Sequence, residues 1–218
     1  MKKKILAIDI GGTNVKVQLS TQEEIIKIPS GSEMTPLKMI EAIRKATGGW
    51  KYDGISMGYP GVVADNQIVT EPHNLGQGWV GFDFKKAFGV PVKIVNDAAM
   101  QALGSYQGRR MLFLGLGTGL GSAMVLEGIL QPLELAHLPY RKGLTYENYV
   151  GKSGLDRLGK RKWREHVTQV ILQLRKALLV DYVVLGGGNA RIMKELPPEV
   201  RLGDNSNAFR GGYRLWSF

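Results

Sequence analysis

The 218-residue sequence predicts an α/β protein whose sheets open with antiparallel hairpins, and three strand-to-glycine junctions carry that reading. In the first, the apolar run Ile5–Ile8 meets Asp9 and then Gly11-Gly12-Thr13, and apolar positions resume at Val15, Val17 and Leu19. In the second, Met111–Leu114 runs into Gly117-Thr118-Gly119, and a run of small residues leads to another apolar strand ending at Leu126. In the third, Tyr182–Leu185 runs into Gly186-Gly187-Gly188-Asn189 ahead of an expected helix. Adjacent glycines let the backbone turn tightly and leave N–H groups facing whatever sits there.

The other elements follow in order. Val15–Leu19 and Glu24–Ile28 form a hairpin around Ser20-Thr21-Gln22. Thr35 caps a helix through about Thr47, with Leu37, Ile40, Ile43 and Ala46 at helical spacing and Gly48-Gly49 closing it. Gly54–Gly58 is a strand leading into the turn Tyr59-Pro60-Gly61, and Val62-Val63 pairs with Gln67–Val69 around Asp65-Asn66. Residues 71–83 read as a polar loop with an aromatic, after which Asp83 caps a short helix, Phe84–Phe88, ended by Gly89. The strand Pro91–Val95 ends in Asn96-Asp97, and Ala98–Ser105 is helical. Beyond the second junction, Gly128-Ile129-Leu130 leads to Pro132–Pro139, and residues 140–153 form a polar connection. Trp163–Leu179 is the longest helix, burying Val167, Val170, Ile171, Leu174 and Leu178. A helix from the third junction runs to about Leu196 and breaks at Pro197-Pro198; Val200–Leu202 is extended. The tail from Asn205 packs as a last helix on Ala208, Phe209, Tyr213 and Trp216. Gly211-Gly212 would cost that helix about 2 kcal/mol, which points to a close backbone approach.

Composition narrows the function classes. Apolar content of 44% and charged content of 22% are those of a soluble globular protein, and no apolar run approaches the roughly 20 residues of a membrane span. Asp9 interrupts the apolar start too early for a signal peptide, so the lysines at the start are read as solvating the first strand and the cytoplasm as the compartment. With no cysteine, disulfides and thiolate metal sites are excluded. The net charge of +10 is uneven: residues 151–218 carry thirteen Lys or Arg against six acids, densest from Arg157 to Arg164. Such a patch attracts polyanions or is simply a solvated helix face. No helix-turn-helix, zinc-finger or RNP signature supports nucleic-acid recognition.

The residues at the junctions suggest a chemistry. Thr13 adds a hydroxyl, Lys16 a cation and Asp9 a carboxylate, a set that suits a phosphate and its magnesium ion. One such junction is equally an ordinary Gly-Gly hairpin with a surface lysine; the second threonine-bearing copy favours phosphate. Asn96-Asp97 sits between strand and helix, where open α/β sheets gather ligand groups, although Asp97 would also serve as a helix N-cap. Glu134 and His137, three apart, share one side of a turn. They lack the partners of a metal site, so hydrogen bonding to a polyhydroxylated ligand suits them better than zinc; a structural Glu–His contact is the plain alternative.

Taken in order, these motifs resemble the sugar-kinase branch of the actin/hexokinase/heat-shock ATPase superfamily, and within it the ROK family, especially its glucokinases and polyphosphate glucokinases. Asp9–Lys16 is similar to the first phosphate motif, Gly58-Tyr-Pro-Gly-Val-Val63 to the family's G-x-P-G-x-V turn, Asn96-Asp97-Ala98 to its sugar-binding and catalytic pair, Gly115–Gly121 to the second phosphate motif, Glu134–His137 to its Glu-x-Gly-His sugar contact, and Gly186–Asn189 to the nucleotide-side loop. The resemblance covers essentially the whole chain. It implies two ribonuclease-H-like (actin-like ATPase) subdomains with mixed sheets flanked by helices and a cleft between them, residues 1–98 and 99–218.

The activity implied is phosphoryl transfer to a hexose, most simply to the 6-hydroxyl of glucose. Asp97 is then the general base, and Asn74, Asn96, Asp97, Glu134, His137 and Glu147 contact the sugar. Gly11, Gly12, Thr13, Asn14, Lys16, Gly117, Thr118, Gly119, Gly187, Gly188 and Asn189 hold the phosphoryl donor, and Asp9 holds Mg2+ through water. A homodimer is also implied. Many ROK proteins carry a Cys-x-Cys-Gly-x-x-Gly-Cys zinc loop; here Thr145-Tyr146-Glu147 stands in the Cys-x-Glu place, so the resemblance implies that zinc is lost while Glu147 is kept. No helix-turn-helix precedes the first motif, which disfavours the repressor branch. ATP is the superfamily's usual donor, and we expect it as at least one donor; the basic last third and a chain shorter than typical members favour polyphosphate. A sugar-sensing or scaffolding protein without turnover is the alternative, opposed by the joint presence of Asp9, Asp97 and both threonine turns.

Overall fold

The computed structural model describes residues 3–204 and 206–217. Lys2, read above as solvating the first strand, and Asn205, read as the start of the tail, lie outside the described residues. The chain falls into two units, one formed by residues up to Met100 together with those from Ala208 onward, the other by Gln101–Asn207.

In the first unit the elements are β1 (Ile5–Ile10), β2 (Asn14–Leu19), β3 (Ile26–Pro29), α1 (Pro36–Thr47), β4 (Gly54–Tyr59), β5 (Val63–Ala64), β6 (Gln67–Ile68), α2 (Phe84–Phe88), β7 (Val92–Asn96) and the start of α3 (Asp97–Ser105). The sheet order is β3-β2-β1-β4-β7. The short hairpins make β1, β2 and β3 antiparallel, whereas β4 and β7 return by long crossovers and run parallel to β1 and β4. Leu6, Ile8, Ile10, Val15 and Val17 share one core with Met39, Ile40 and Ile43 of α1.

The apolar stripe of α1 differs from its expected positions. Leu37 is 60% exposed and Ala46 is exposed, while Pro36, Met39, Ile40, Ile43 and Thr47 are buried. Thr35 caps α1 by accepting from the Lys38 N–H, as expected. The helix starts where expected, and its packing on the sheet turns the Pro36, Met39, Ile40 and Ile43 face inward and leaves Leu37 outside.

The second unit repeats the pattern with β8 (Arg110–Leu116), β9 (Leu120–Leu126), β10 (Ile129–Leu133), β11 (Pro139–Arg141), β12 (Leu144–Thr145), α4 (Tyr146–Val150), α5 (Lys152–Ala177), β13 (Tyr182–Gly186) and β14 (Val200–Leu202). Its sheet runs β10-β9-β8-β13-β14, again three antiparallel strands followed by two parallel ones. Leu112, Leu114 and Leu116 pack with Val183 and Leu185 against Trp163, Val167, Val170, Ile171 and Leu174 of α5. The mixed α/β class read from the sequence is therefore present in both units.

Two helices depart from expectation. α5 begins eleven residues before Trp163, and the helix is broken at Gly159, whose φ of 72° and ψ of 161° interrupt it; glycine enters that region without a Cβ penalty. After β13 the chain forms only a short 3-10 turn, Gly188–Ile192, in place of a helix to Leu196. Met193 is already extended, and Pro197-Pro198 bar any continuation.

The last helix, α6 (Asn207–Arg214), returns to the first unit from Ala208 onward. Ser56 Oγ donates to the Gly212 carbonyl at 2.5 Å, and the Trp216 indole donates to the same Oγ at 2.8 Å. A Cβ on Gly212 would lie 2.9 Å from Ala7 Cβ, the close approach expected of Gly211-Gly212. Among the described residues no helix is long and apolar enough to cross a membrane.

Candidate functional site

The sequence-derived candidates fall into two groups, one in each unit. In the first unit, strand register brings the acids together. Asp9 pairs with Gly58, and Gly58 with Val95, so the three form one row at the carboxyl ends of parallel strands. Ligands of open α/β sheets bind beyond such ends. Asp9 and Val95 are two strand spacings apart, about 10 Å, and Asp97 follows two residues later. A Cβ on Gly58 would lie 3.4 Å from the Asp97 Cα and 2.5 Å from Met100 Cε, so this glycine admits the start of α3 against β4.

The first glycine loop is built on the same row. Asp9 and Lys16 face each other across the β1–β2 hairpin, and Lys16 Nζ donates to Asp9 Oδ2 at 3.2 Å. The Gly11 N–H donates to the Asn14 carbonyl at 3.0 Å, which closes the Gly11–Thr13 turn. Ser30, which the sequence reading passed over, braces this turn: its Oγ donates to the Gly11 carbonyl at 2.6 Å and its N–H to the Thr13 carbonyl at 3.0 Å. A Cβ on Gly12 would sit 2.9 Å from Asn74 Cβ, which places Asn74 over the loop.

Asn74 is carried by the 71–83 segment, and Glu71 organises that segment. Its carboxylate accepts the N–H groups of Gly78, Trp79 and Val80 at 3.0–3.1 Å. An acid ahead of a glycine-rich stretch was the available sequence signal for this role. Asn96, rather than Asp97, caps α3. Its Oδ1 accepts from Ala98 N at 2.9 Å and Ala99 N at 3.4 Å, and its Nδ2 donates to the Gly61 carbonyl at 3.0 Å. Asp97 opens the helix itself, with Oδ1 accepting from Ala98 N at 2.7 Å.

In the second unit, Gly117–Gly119, Glu147 and Asn189 meet. Glu147 Oε2 accepts the Leu120 N–H at 3.1 Å, and a Cβ on Gly119 would lie 2.2 Å from that oxygen. The carboxylate thus occupies the space that glycine leaves open. Thr145 and Asn148 form a capping box at the start of α4 and fix the helix that carries Glu147. Asn189 Nδ2 donates to the Gly117 carbonyl at 3.0 Å, and the Lys152 N–H donates to the Thr118 carbonyl at 3.0 Å. Gly187, at φ 80°, passes so close to Leu116 that a Cβ would meet its carbonyl at 2.4 Å. The second and third glycine junctions are therefore one hydrogen-bonded assembly.

Glu134 precedes and His137 ends a 3-10 turn, Leu135–His137, and their side chains lie 3.7 Å apart, well exposed. That separation is too long for a good hydrogen bond, and among the described residues no other partner holds the pair, so both exposed side chains remain open to a ligand.

Asp9 provides one carboxylate, with Oδ2 engaged by Lys16. Magnesium typically keeps several waters and binds through one or two carboxylates plus substrate phosphates; Asp9 fits that limited role. Among the described residues no cluster of three or more His, Cys, Asp or Glu could hold a metal by itself.

The ROK family profile matches residues 5–132. A polyphosphate glucokinase from Mycobacterium tuberculosis (strain CDC 1551 / Oshkosh) is 30% identical over 206 residues, covering 84% of this chain and 77% of that protein. The crystal structure of an inorganic polyphosphate/ATP-glucomannokinase from Arthrobacter sp. strain KM superposes with a TM-score of 0.81 at 21% identity, covering 98% of each chain. A ROK family glucokinase from Streptomyces griseus, solved with glucose and AMPPNP, superposes with a TM-score of 0.72 at 16% identity, covering 97% of this chain and 98% of that one. At these identities the two structures speak for the fold alone. The profile match over more than half of the sequence, with the Mycobacterium likeness beside it, establishes the family: this chain belongs to the ROK family.

Proposed function

We propose that this protein is a hexose kinase that transfers a phosphoryl group to the 6-hydroxyl of glucose from ATP, polyphosphate or both. The observation that carries the reading is the row at the carboxyl ends of β1, β4 and β7: a carboxylate at a strand–helix junction beside a braced loop of backbone amides, with Asn74 over the loop. The names of the relatives support the reaction class and both donors.

In this reading Asp97 accepts the proton of the attacking hydroxyl, within direct hydrogen-bond reach. Asn74, Asn96, Glu134, His137 and Glu147 hold the remaining hydroxyls, and this positioning supplies much of the rate. The amides of Gly12, Thr13, Thr118 and Gly119 donate to the phosphoryl oxygens, Gly11 and Gly117 shape the two turns through their own N–H bonds to the Asn14 and Gly119 carbonyls, and Lys16, Gly187, Gly188 and Asn189 hold the rest of the donor. Magnesium, bound through the waters of Asp9, would offset the negative charge that spreads over the transferred group.

A coupled assay that converts glucose 6-phosphate to a reduced nicotinamide tests this with purified protein, glucose, Mg2+ and each donor in turn. Product is expected with at least one donor. Glucose binding without product from either donor would overturn the kinase reading in favour of a sugar sensor.

A further inference from the structure

A cationic cluster lies in the second unit, on the flank of α4 turned away from the Gly119 loop. Glu147 and Tyr149 are about 200° apart on an ideal helix, and where Glu147 meets the loop, Tyr149 meets His166 of α5. The Tyr149 and His166 rings are 4.7 Å apart, and Tyr140 packs edge-on to both at 5.0 and 5.7 Å. Tyr140 Oη lies 3.1 Å from His166 Nδ1 and donates to Gln169 Oε1 at 2.9 Å.

Two arginines lie over the rings of this platform. The Arg141 guanidinium stands 5.2 Å from the Tyr140 ring and donates to Gln169 Oε1 at 3.0 Å. The Arg157 guanidinium stands 5.2 Å from the Tyr149 ring and donates to the Asn148 carbonyl at 2.7 Å. A guanidinium has five N–H donors, and these contacts use one from each. Neither arginine forms an ion pair with a carboxylate among the described residues. Glu165, the acid next to His166, is 3.5 Å from Arg161 instead. Lys162, one helical turn before His166, adds a further cation on that flank. Burial first, then the Arg141 and Arg157 charges, hold the imidazole below its ordinary range, with Glu165 pulling the other way. Both arginines therefore act on the same imidazole.

We propose that Arg141, Arg157 and His166 form a second anion site, distinct from the glycine loops, for a phosphate-bearing ligand. Arg141 and Arg157 both act on one imidazole, and Glu165, the acid that opposes them there, is itself within ion-pair distance of Arg161; an anion among these cations relieves their repulsion. Preoriented forks suit an oxyanion with several acceptor oxygens, and a phosphate has enough oxygens and charge for both arginines and a protonated imidazole. The site is independent of the kinase reading. Its ligand is either a phosphorylated sugar or a free phosphate chain, two sources of one chemistry.

The test follows the imidazole C2 proton of His166 by NMR. The protein has three histidines, and loss of one resonance in His166→Gln assigns it. The parent protein is titrated against pH with orthophosphate, tripolyphosphate or glucose 6-phosphate, and with sodium chloride at matched ionic strength. At least one phosphate is expected to raise the His166 midpoint by about one pH unit beyond the chloride control, as an opposite charge nearby does. The anion that binds most tightly identifies the source. The Arg141→Gln/Arg157→Gln double variant, with an unchanged near-ultraviolet dichroism spectrum, is expected to bind that anion at least about tenfold more weakly. Equal shifts with chloride and phosphate, or equal affinity in the double variant, would overturn the proposal.

Discussion

Replacing Asp97 with Asn is expected to lower turnover by about a hundredfold or more while leaving glucose binding in place. The substitution keeps size and polarity, and an amide oxygen can still accept the Ala98 N–H that Asp97 Oδ1 accepts at 2.7 Å. The α3 cap is untouched, because Asn96 supplies it. What the amide loses is the capacity to take a proton from the hydroxyl. Turnover measured by the coupled assay, with glucose affinity measured by calorimetry, separates the two effects. Turnover within tenfold of the parent protein would reject Asp97 as the base.

The second large effect is expected from Gly119→Ala, which raises the KM for glucose at least about tenfold with the fold preserved. The added methyl would come within 2.2 Å of Glu147 Oε2, so the carboxylate must swing away and the Leu120 N–H loses its acceptor. The atom displaced is the end of a flexible side chain, not backbone, so the damage falls on the position of Glu147. The KM for the donor reports on the loop itself and is expected to change much less. An unchanged glucose KM, with the variant folded, would remove Glu147 from the sugar-binding set.

These two variants also show where the sequence was readable. The glycine junctions stood out because close approach and tight turning leave few alternatives to glycine, and the structure gives each of them a neighbour: Asn74 at Gly12, Glu147 at Gly119 and Leu116 at Gly187. The strands around them were legible as short apolar runs, and their hairpins fixed the antiparallel half of each sheet. What could not be read was tertiary. The choice of Asn96 over Asp97 as the α3 cap depends on where β7 ends, which local pattern leaves uncertain by a residue. The contact between Glu147 and Gly119 joins residues far apart in sequence. Leu37 matched the helical spacing but faces outward, because the buried face follows from how α1 lies on its sheet. The turn after Gly188 looked helical from composition, yet Met193 is extended only a few residues on. Ser30 carried no distinctive pattern and Glu71 only its place ahead of a glycine-rich stretch, since bracing a loop through its backbone needs only a polar side chain in the right place.

A sugar kinase moves a phosphoryl group onto a sugar alcohol. Phosphorus-31 NMR of purified protein with glucose, Mg2+ and either ATP or polyphosphate reads this without a coupling enzyme. Growth of a phosphomonoester resonance that coincides with authentic glucose 6-phosphate is expected, matched by loss of the ATP γ-phosphate signal or of mid-chain polyphosphate signal. Growth of orthophosphate alone, or a spectrum unchanged with both donors while glucose remains bound, would contradict it.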